Sequence, residues 1–408
     1  MLKKLTVRGF KSLADVSVDL KPLTVLFGPN SAGKSNFIEA VSFLSQSATA
    51  GKLSDVLSSQ PRGYPAEFFA LPAGGVGELM GQATASFEME AALGPPNTEW
   101  EWCTYRVEVE MVPESGLLKV VDEKLDVMVG GIGWMPFLHQ ARGKLIADVS
   151  NGPDSTEAVP GGMPHTLLSD QRYSRDAGID RARREFGGWR TYYLDPFGAM
   201  RSEQYPMPVD DVGRTGENLT PFLNRLMIEH KPRFEAVVRA LRRAVPSVED
   251  VVVDLHRASG ILELQVVQDG TRFSARLLSE GTLRVLTMCA IAANPWAGSL
   301  VALEEPENGV HPRRLDVIAD LVCRMAEHQQ VLVTTHSPRF VARMMRERHE
   351  RPESVAVLAF RRRGRETVVR AMPDLEVMLA DSAEADAVGT TAEDGRLEEM
   401  LIRGWFDG

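Results

Sequence analysis

The chain has 408 residues, a net charge of −10 at pH 7, 44% apolar residues and 25% charged residues. That length suits one large domain or two ordinary ones, with a core of normal size and no need of disulfide staples. The acidic balance excludes a generally basic nucleic-acid binder but not a local basic groove, and three cysteines without metal-ligand spacing, Cys103, Cys289 and Cys323, fit a reducing compartment.

Met1-Leu2-Lys3-Lys4 runs straight into strand pattern, without a leader peptide or a bilayer-spanning apolar run, so a cytoplasmic protein with no membrane partner is expected. Alternation of Leu5 with Val7, and of Val16, Val18 and Leu20, predicts two half-buried strands around a turn at Phe10-Lys11-Ser12. Residues 23–27 read as a short apolar strand, and 34–44 as a helix with Phe37, Ile38, Val41 and Leu44 on one face. Residues 47–81 are rich in Ser, Gly and Pro and read as loop. Strands follow at 83–91, 102–111 and 120–129. Residues 130–190 are poorly patterned and read as a surface insertion with short helices. Helices are expected at 218–227 and 232–244, and a strand pair at 251–255 and 261–267. Residues 280–293 form a nearly all-apolar helix that should be buried. Buried strands at 300–303 and 331–335 flank a helix at 312–328 that opens with a proline. A hairpin around Gly364 joins 355–360 to 366–370. The tail from 381 is acidic, with an amphipathic stretch at 397–405. There is no internal repeat and no sustained heptad pattern.

Two separated segments carry chemistry. Gly28-Pro29-Asn30-Ser31-Ala32-Gly33-Lys34-Ser35 has the GxxxxGK[ST] pattern between a predicted strand and a predicted helix. Its glycines let backbone N–H groups wrap phosphates, and the helix N-terminus adds partial positive charge. Lys34 should reach the β- and γ-phosphates of a nucleotide, and Ser35 should hold Mg²⁺. Downstream, Leu300-Val301-Ala302-Leu303 delivers Glu304 and Glu305 to the carboxyl edge of a sheet, where ligands bind in open α/β folds. Glu304 is assigned to the metal and Glu305 to the attacking water. Thr334-Thr335-His336-Ser337 ends the next strand, where a neutral His336 is placed to hydrogen-bond a γ-phosphate; an ordinary polar strand end is the alternative.

Leu278-Ser279-Glu280-Gly281-Thr282 resembles the LSGGQ signature of ABC-type ATPases, and the order of motifs matches their heads. More narrowly, Arg8-Gly9-Phe10-Lys11-Ser12 and the run from Glu304 to Pro312 resemble the RecF/OLD-like AAA-family ATPases (AAA_21/AAA_15 type), relatives of SMC and Rad50 heads. The resemblance covers 1–45 and 270–340 well, 83–130 and 190–270 loosely, and 130–190 hardly at all. It implies an α/β fold: an ABC-type ATPase head, a P-loop NTPase, with an antiparallel N-terminal lobe, a parallel core sheet and an inserted mostly helical lobe. The expected division is 1–130 and 246–375 for the head, 131–245 for the insertion and 376–408 for the acidic tail.

The resemblance further implies that Asn30, Ser31, Ala32, Gly33, Lys34, Ser35 and Asn36 bind ATP, with Lys11 and Ser12 near the nucleotide. Lys34, Glu305 and His336 would be catalytic, and Ser35 and Glu304 would hold Mg²⁺. ATP would be sandwiched in a homodimer, with Ser279 and Gly281 contacting the γ-phosphate in trans and Asn308 at the interface; higher oligomers stay open. Glu280 departs from the signature by standing where a glycine is usual. The Q-loop glutamine is not identifiable; Gln82 and Gln140 are weak candidates. With no coiled-coil arm, and only about seventy residues after His336 where a nuclease domain needs more, the expected function is an ATP-driven switch. It would control a separately encoded effector, a nuclease or toxin, in bacterial antiphage defence. The alternatives are a RecF-like DNA clamp and an ATP-assembled scaffold with little turnover. Nucleic acid stays open as a partner, although the basic sets at 172–190 and 231–243 read first as solvated faces; the arginines at 361–365 either touch phosphate or protect an edge strand.

Overall fold

Apolar alternation builds the first hairpin of the computed structural model: Leu2, Leu5, Val7 and Phe10 are buried on β1 (Leu2–Phe10), which pairs antiparallel with β2 (Leu13–Asp19). The structure describes residues 1–58, 64–95, 101–130, 132–141, 144–148, 162–173 and 176–374; the expected acidic tail and the stretch at 397–405 lie outside them. The chain divides into two compact units. One comprises Met1–Pro22, Gly28–Arg190 and Leu358–Ala371; the other comprises Leu23–Phe27, Thr191–Val357 and the chain from Met372. The division at Arg190 falls inside the stretch read as one inserted lobe.

After β3 (Leu23–Phe27), which belongs to the second unit, the first unit resumes with α1 (Lys34–Ser47) and two short helices, α2 (Leu53–Ser58) and α3 (Val76–Met80). Five more strands follow: β4 (Ala85–Leu93), β5 (Cys103–Val112), β6 (Leu117–Val129), β7 (Gly133–Ala141) and β8 (Lys144–Asp148). They complete an antiparallel sheet in the order β2-β1-β4-β5-β6-β7-β8. Its core centres on Phe87, whose ring lies 5.2 Å from Phe10, 5.2 Å from Phe43 and 5.1 Å from Phe69. Strands β7 and β8 occupy residues expected to form an irregular, helical insertion. The pattern there is broken by Pro136, which has no N–H for the ladder, and the β6–β7 register slips beside it, between Leu125 and Asp126. Helix α4 (Ala177–Gly187) is capped by Asp176, and β9 (Trp189–Tyr192) carries the chain across the division.

In the second unit α5 (Leu219–Glu229) and α6 (Lys231–Ala244) precede an antiparallel sheet of β10 (Val248–His256), β11 (Ile261–Gln268) and β12 (Thr271–Ser274). Helix α7 (Glu280–Ala292) is buried from Gly281 through Ile291, as its apolar sequence requires. Strand β13 (Leu300–Glu304), α8 (Leu315–Ala326) and β14 (Gln330–Thr335) follow. β14 pairs in parallel with β13 on one side and β3 on the other. Helix α9 (Pro338–Glu350) was not expected. The hairpin β15 (Val355–Arg363) and β16 (Glu366–Ala371) returns the chain to the first unit. Among the described residues no helix is long and apolar enough to cross a membrane.

One buried carboxyl anchors the poorly patterned segment. Glu123, on β6, accepts the Tyr105 hydroxyl at 2.9 Å and the N–H groups of Leu167 and Leu168 at 2.6 and 3.0 Å. Burial outweighs these three donors and pushes its pKa from 4.5 up to about 7. The folded state therefore holds this proton more tightly than the unfolded chain does. The contribution to stability is full below about pH 4.5 and declines as pH rises to about 7, by roughly 3 kcal/mol in all. Urea midpoints of the wild type minus those of Glu123→Gln should fall across that window; a flat difference would contradict the assignment.

Candidate functional site

The phosphate-loop sequence leaves β3 at Gly28 and enters α1 at Lys34. Gly33 is the N-cap residue of α1, with φ 100°, a region L side chains rarely adopt. A Cβ there would lie 2.0 Å from Thr367 Oγ1, and a Cβ on Gly28 would lie 2.2 Å from the Phe360 carbonyl oxygen. Both motif glycines are thus demanded by space. No side-chain hydrogen bond caps α1 and no acid stands in its first turn, so the helix end keeps its positive partial charge. The Lys34 side chain is buried, and its ammonium donates to the carbonyls of Gly28 at 2.7 Å and Pro29 at 3.0 Å. Ser12 Oγ accepts from Asn36 Nδ2 at 2.7 Å. Lys11 Nζ sits 2.5 Å from the buried Glu39 carboxylate and 4.0 Å from the centre of the Phe68 ring, pinning the turn after β1 onto α1.

In the second unit the parallel register brings three strand ends to one edge: Glu304 stands opposite Thr334, and Thr335 opposite Phe27. Glu304 is buried, 7% exposed. Glu305 follows with φ 42°. Its N–H donates to the Thr334 carbonyl and hydroxyl, both at 3.1 Å. Its Oε2 accepts from Asn308 Nδ2 at 2.7 Å, and its Oε1 lies 3.3 Å from His336 Nδ1. Glu307 completes the group. Its Oε1 accepts the Thr335 hydroxyl at 2.5 Å and the His336 N–H at 3.3 Å, while its buried Oε2 has no hydrogen-bond partner. Burial raises the Glu307 pKa, against the opposing pull of the Thr335 hydroxyl and of His336.

Backbone strain marks the same places. Among the described residues four non-glycines take positive φ, namely Lys11, Ser31, Asp269 and Glu305. Three of the four are residues expected at the site, and Asp269 lies in the short turn before β12. Such conformations cost on the order of 1–3 kcal/mol each and persist where surrounding contacts enforce them.

Ser279, exposed, caps α7 by accepting from the Thr282 N–H at 3.2 Å, and its Oγ lies 2.8 Å from Thr282 Oγ1. Arg201 Nη2 holds the preceding Leu278 carbonyl at 2.8 Å. A Cβ on Gly281 would lie 2.6 Å from the Gly309 carbonyl oxygen, so the first turn of α7 packs directly on the backbone beyond Asn308. One turn further, Arg284 is buried. Burial depresses its pKa against the attraction of Glu280 and Glu307, and its Nε has no hydrogen-bond partner.

The expected residues therefore fall into two groups. Lys11, Ser12 and 30–36 belong to the first unit; Ser279, Gly281, Glu304, Glu305 and His336 belong to the second. Within its unit, each group is joined by residues to which the sequence reading gave no role. Thr367 and Glu39 join the first group, and Glu307 and Arg284 the second. For Glu307 the signal was its place in the run after Glu305. For Thr367, a polar residue in an exposed-looking hairpin, there was none.

The family model described as "AAA domain, putative AbiEii toxin, Type IV TA system" matches residues 164–342, and the one described as "AAA ATPase domain" matches residues 1–104. The OLD nuclease of Thermus scotoductus is 22% identical over 362 residues, 83% of this chain. The chain spans 60% of that relative's length. An SMC head crystallised with the C-winged helix domain of ScpA superposes with a TM-score of 0.56 at 13% identity, covering 92% of this chain and 99% of that one. An SMC head from Pyrococcus furiosus, with an extended coiled coil and bound to the C-terminal domain of ScpA, gives 0.51 at 12% identity, covering 94% and 99%. At these identities the likeness shows the fold alone, a mixed α/β architecture resembling that of SMC heads.

Proposed function

We propose, from the premise that this chain is an OLD-like AAA-family ATPase with an ABC-type head, that it binds and hydrolyses Mg-ATP and uses the cycle as a dimeric switch on a separately encoded effector. The observation that carries the nucleotide reading is the loop from Gly28 to Ser35. There a helix N-terminus without a side-chain cap and a buried ammonium concentrate positive potential on a stretch of closely held backbone.

The donor set fits the expected cofactors. Ser35 and Glu304, a hydroxyl and a carboxylate, are the hard oxygen donors that Mg²⁺ takes, and the bound ion would neutralise charge on the phosphates. Lys34 binds the β- and γ-phosphates. Glu305 orients the attacking water and accepts its proton, and Asn308 and His336 hold that carboxylate in place. Ser279 and Gly281 of each copy face the nucleotide of the other. The effector, a nuclease or toxin, and the setting in antiphage defence rest on the family resemblance. ATP hydrolysis with release of phosphate then resets the switch.

The association step has its own test. Ser279→Arg places a long cationic side chain at the exposed cap of α7. Light scattering with ATP should show dimers for the wild type and monomers for the variant, while nucleotide affinity of the variant's monomer stays close to wild type. Dimers of the variant at wild-type levels would sink the shared-site reading.

A further inference from the structure

The hairpin β15–β16, whose arginines the sequence offers either for phosphate contact or for protecting an edge strand, grips the phosphate loop at three points within the first unit. The Phe360 carbonyl closes on Gly28. Arg362 Nη1 donates to the Ser31 carbonyl at 3.4 Å. Thr367, 4% exposed, donates its hydroxyl to the Ala32 carbonyl at 3.0 Å, and its Oγ1 lies 2.7 Å from Ser12 Oγ. Its backbone N–H donates to the Ser12 carbonyl at 2.8 Å, which fixes the hairpin to the turn after β1.

Every proton along this string has one place to go. Thr367 has a single hydroxyl proton, and the Ala32 carbonyl takes it. Ser12 must then donate to Thr367 Oγ1, and Asn36 Nδ2 donates to Ser12. The relay runs one way, from Asn36 through Ser12 and Thr367 to Ala32. Its end point has a geometric consequence. The Ala32 carbonyl and the Gly33 N–H belong to one planar trans peptide unit and point in opposite directions. Holding the carbonyl against Thr367 aims the Gly33 N–H away from the hairpin. The Thr367 hydroxyl also fills the space beside Gly33 that a side chain would need.

We propose that Thr367 is a positioning residue of the phosphate loop: through its hydroxyl it sets the orientation of the Ala32–Gly33 peptide, and so the affinity for the nucleotide. This rests on the nucleotide-binding reading above and deepens it. Removing the hydroxyl leaves both the Ala32 carbonyl and the Ser12 proton without a buried partner, in a loop whose neighbours already hold positive φ.

The test compares Thr367→Val, which keeps the shape, with Thr367→Ser, which keeps the hydroxyl. Two readouts are used: hydrogen exchange of residues 28–36 in the protein without nucleotide, and titration with ATP. Thr367→Val should exchange faster at the Gly33 amide and bind ATP about tenfold more weakly, with turnover at saturating ATP within about twofold of wild type. Thr367→Ser should restore both readouts. If Thr367→Val does not fold, Thr367→Ala makes the same comparison. Wild-type exchange and affinity in the variant without the hydroxyl would overturn the proposal, and so would a Thr367→Ser variant as defective as Thr367→Val. A wild-type protein that binds no ATP would remove the nucleotide reading instead, and the exchange comparison would still decide whether Thr367 sets the loop.

Discussion

Lys34→Ala is expected to lower the affinity for Mg-ATP by about two to four orders of magnitude, the loss of two charge-assisted contacts worth roughly 1.5–3 kcal/mol each. The ammonium is buried beside the loop and already anchored by two carbonyls, so it is ordered before the nucleotide arrives. Little conformational entropy then remains to be lost on binding, which is why its removal should cost more than that of an exposed lysine. Removing it also leaves the carbonyls of Gly28 and Pro29 without that donor at the mouth of a tight turn. Calorimetric titration with ATP, on protein whose unfolding transition is checked in parallel, measures the effect. Affinity retained within a few-fold would contradict the assignment of this loop to phosphate.

Glu305→Gln should separate binding from chemistry. The amide oxygen can still accept from Asn308, and the backbone hydrogen bonds to Thr334 do not involve the side chain, so the turn at φ 42° should persist. What disappears is the carboxylate charge facing His336 and its capacity to take a proton from water. Loss of a positioned general base typically lowers kcat by about 10²–10⁴, with ATP affinity little changed. If the dimer opens only after hydrolysis, closed dimers accumulate in this variant with ATP. Single-turnover kinetics and light scattering on the same sample read both quantities. Normal turnover would move the catalytic role elsewhere, with Glu307, whose buried Oε2 lacks a hydrogen-bond partner, as the first place to look.

Much of the fold was legible because its causes are local. The bounds of β3 were read without error, and β14 to within one residue, since short apolar runs between turn signals have few alternatives. The buried helix α7 announced itself by composition. Strands β7 and β8 did not, because Pro136 and a register slip hide the alternation. Helix α9 carries a start signal, with Ser337 accepting the Phe340 N–H and Pro338 in the first turn, but that signal overlaps the polar run Thr334 to Ser337 that ends β14.

The phosphate-loop sequence, the paired carboxylates and the signature-like run are contiguous strings whose chemistry depends on spacing of a few residues, so a nucleotide site could be proposed before any fold was known. The partners of those residues could not. Thr367 meets Ser12 across 355 positions of chain, Glu307 meets Thr335 across 28, and Lys11 meets the buried Glu39 across 28. A buried polar group must find a partner or bear the cost of desolvation, but nothing in local periodicity names which partner that is. Sequence spacing states what a residue can do; only packing, by bringing distant polar groups into one dry place, states what holds it there.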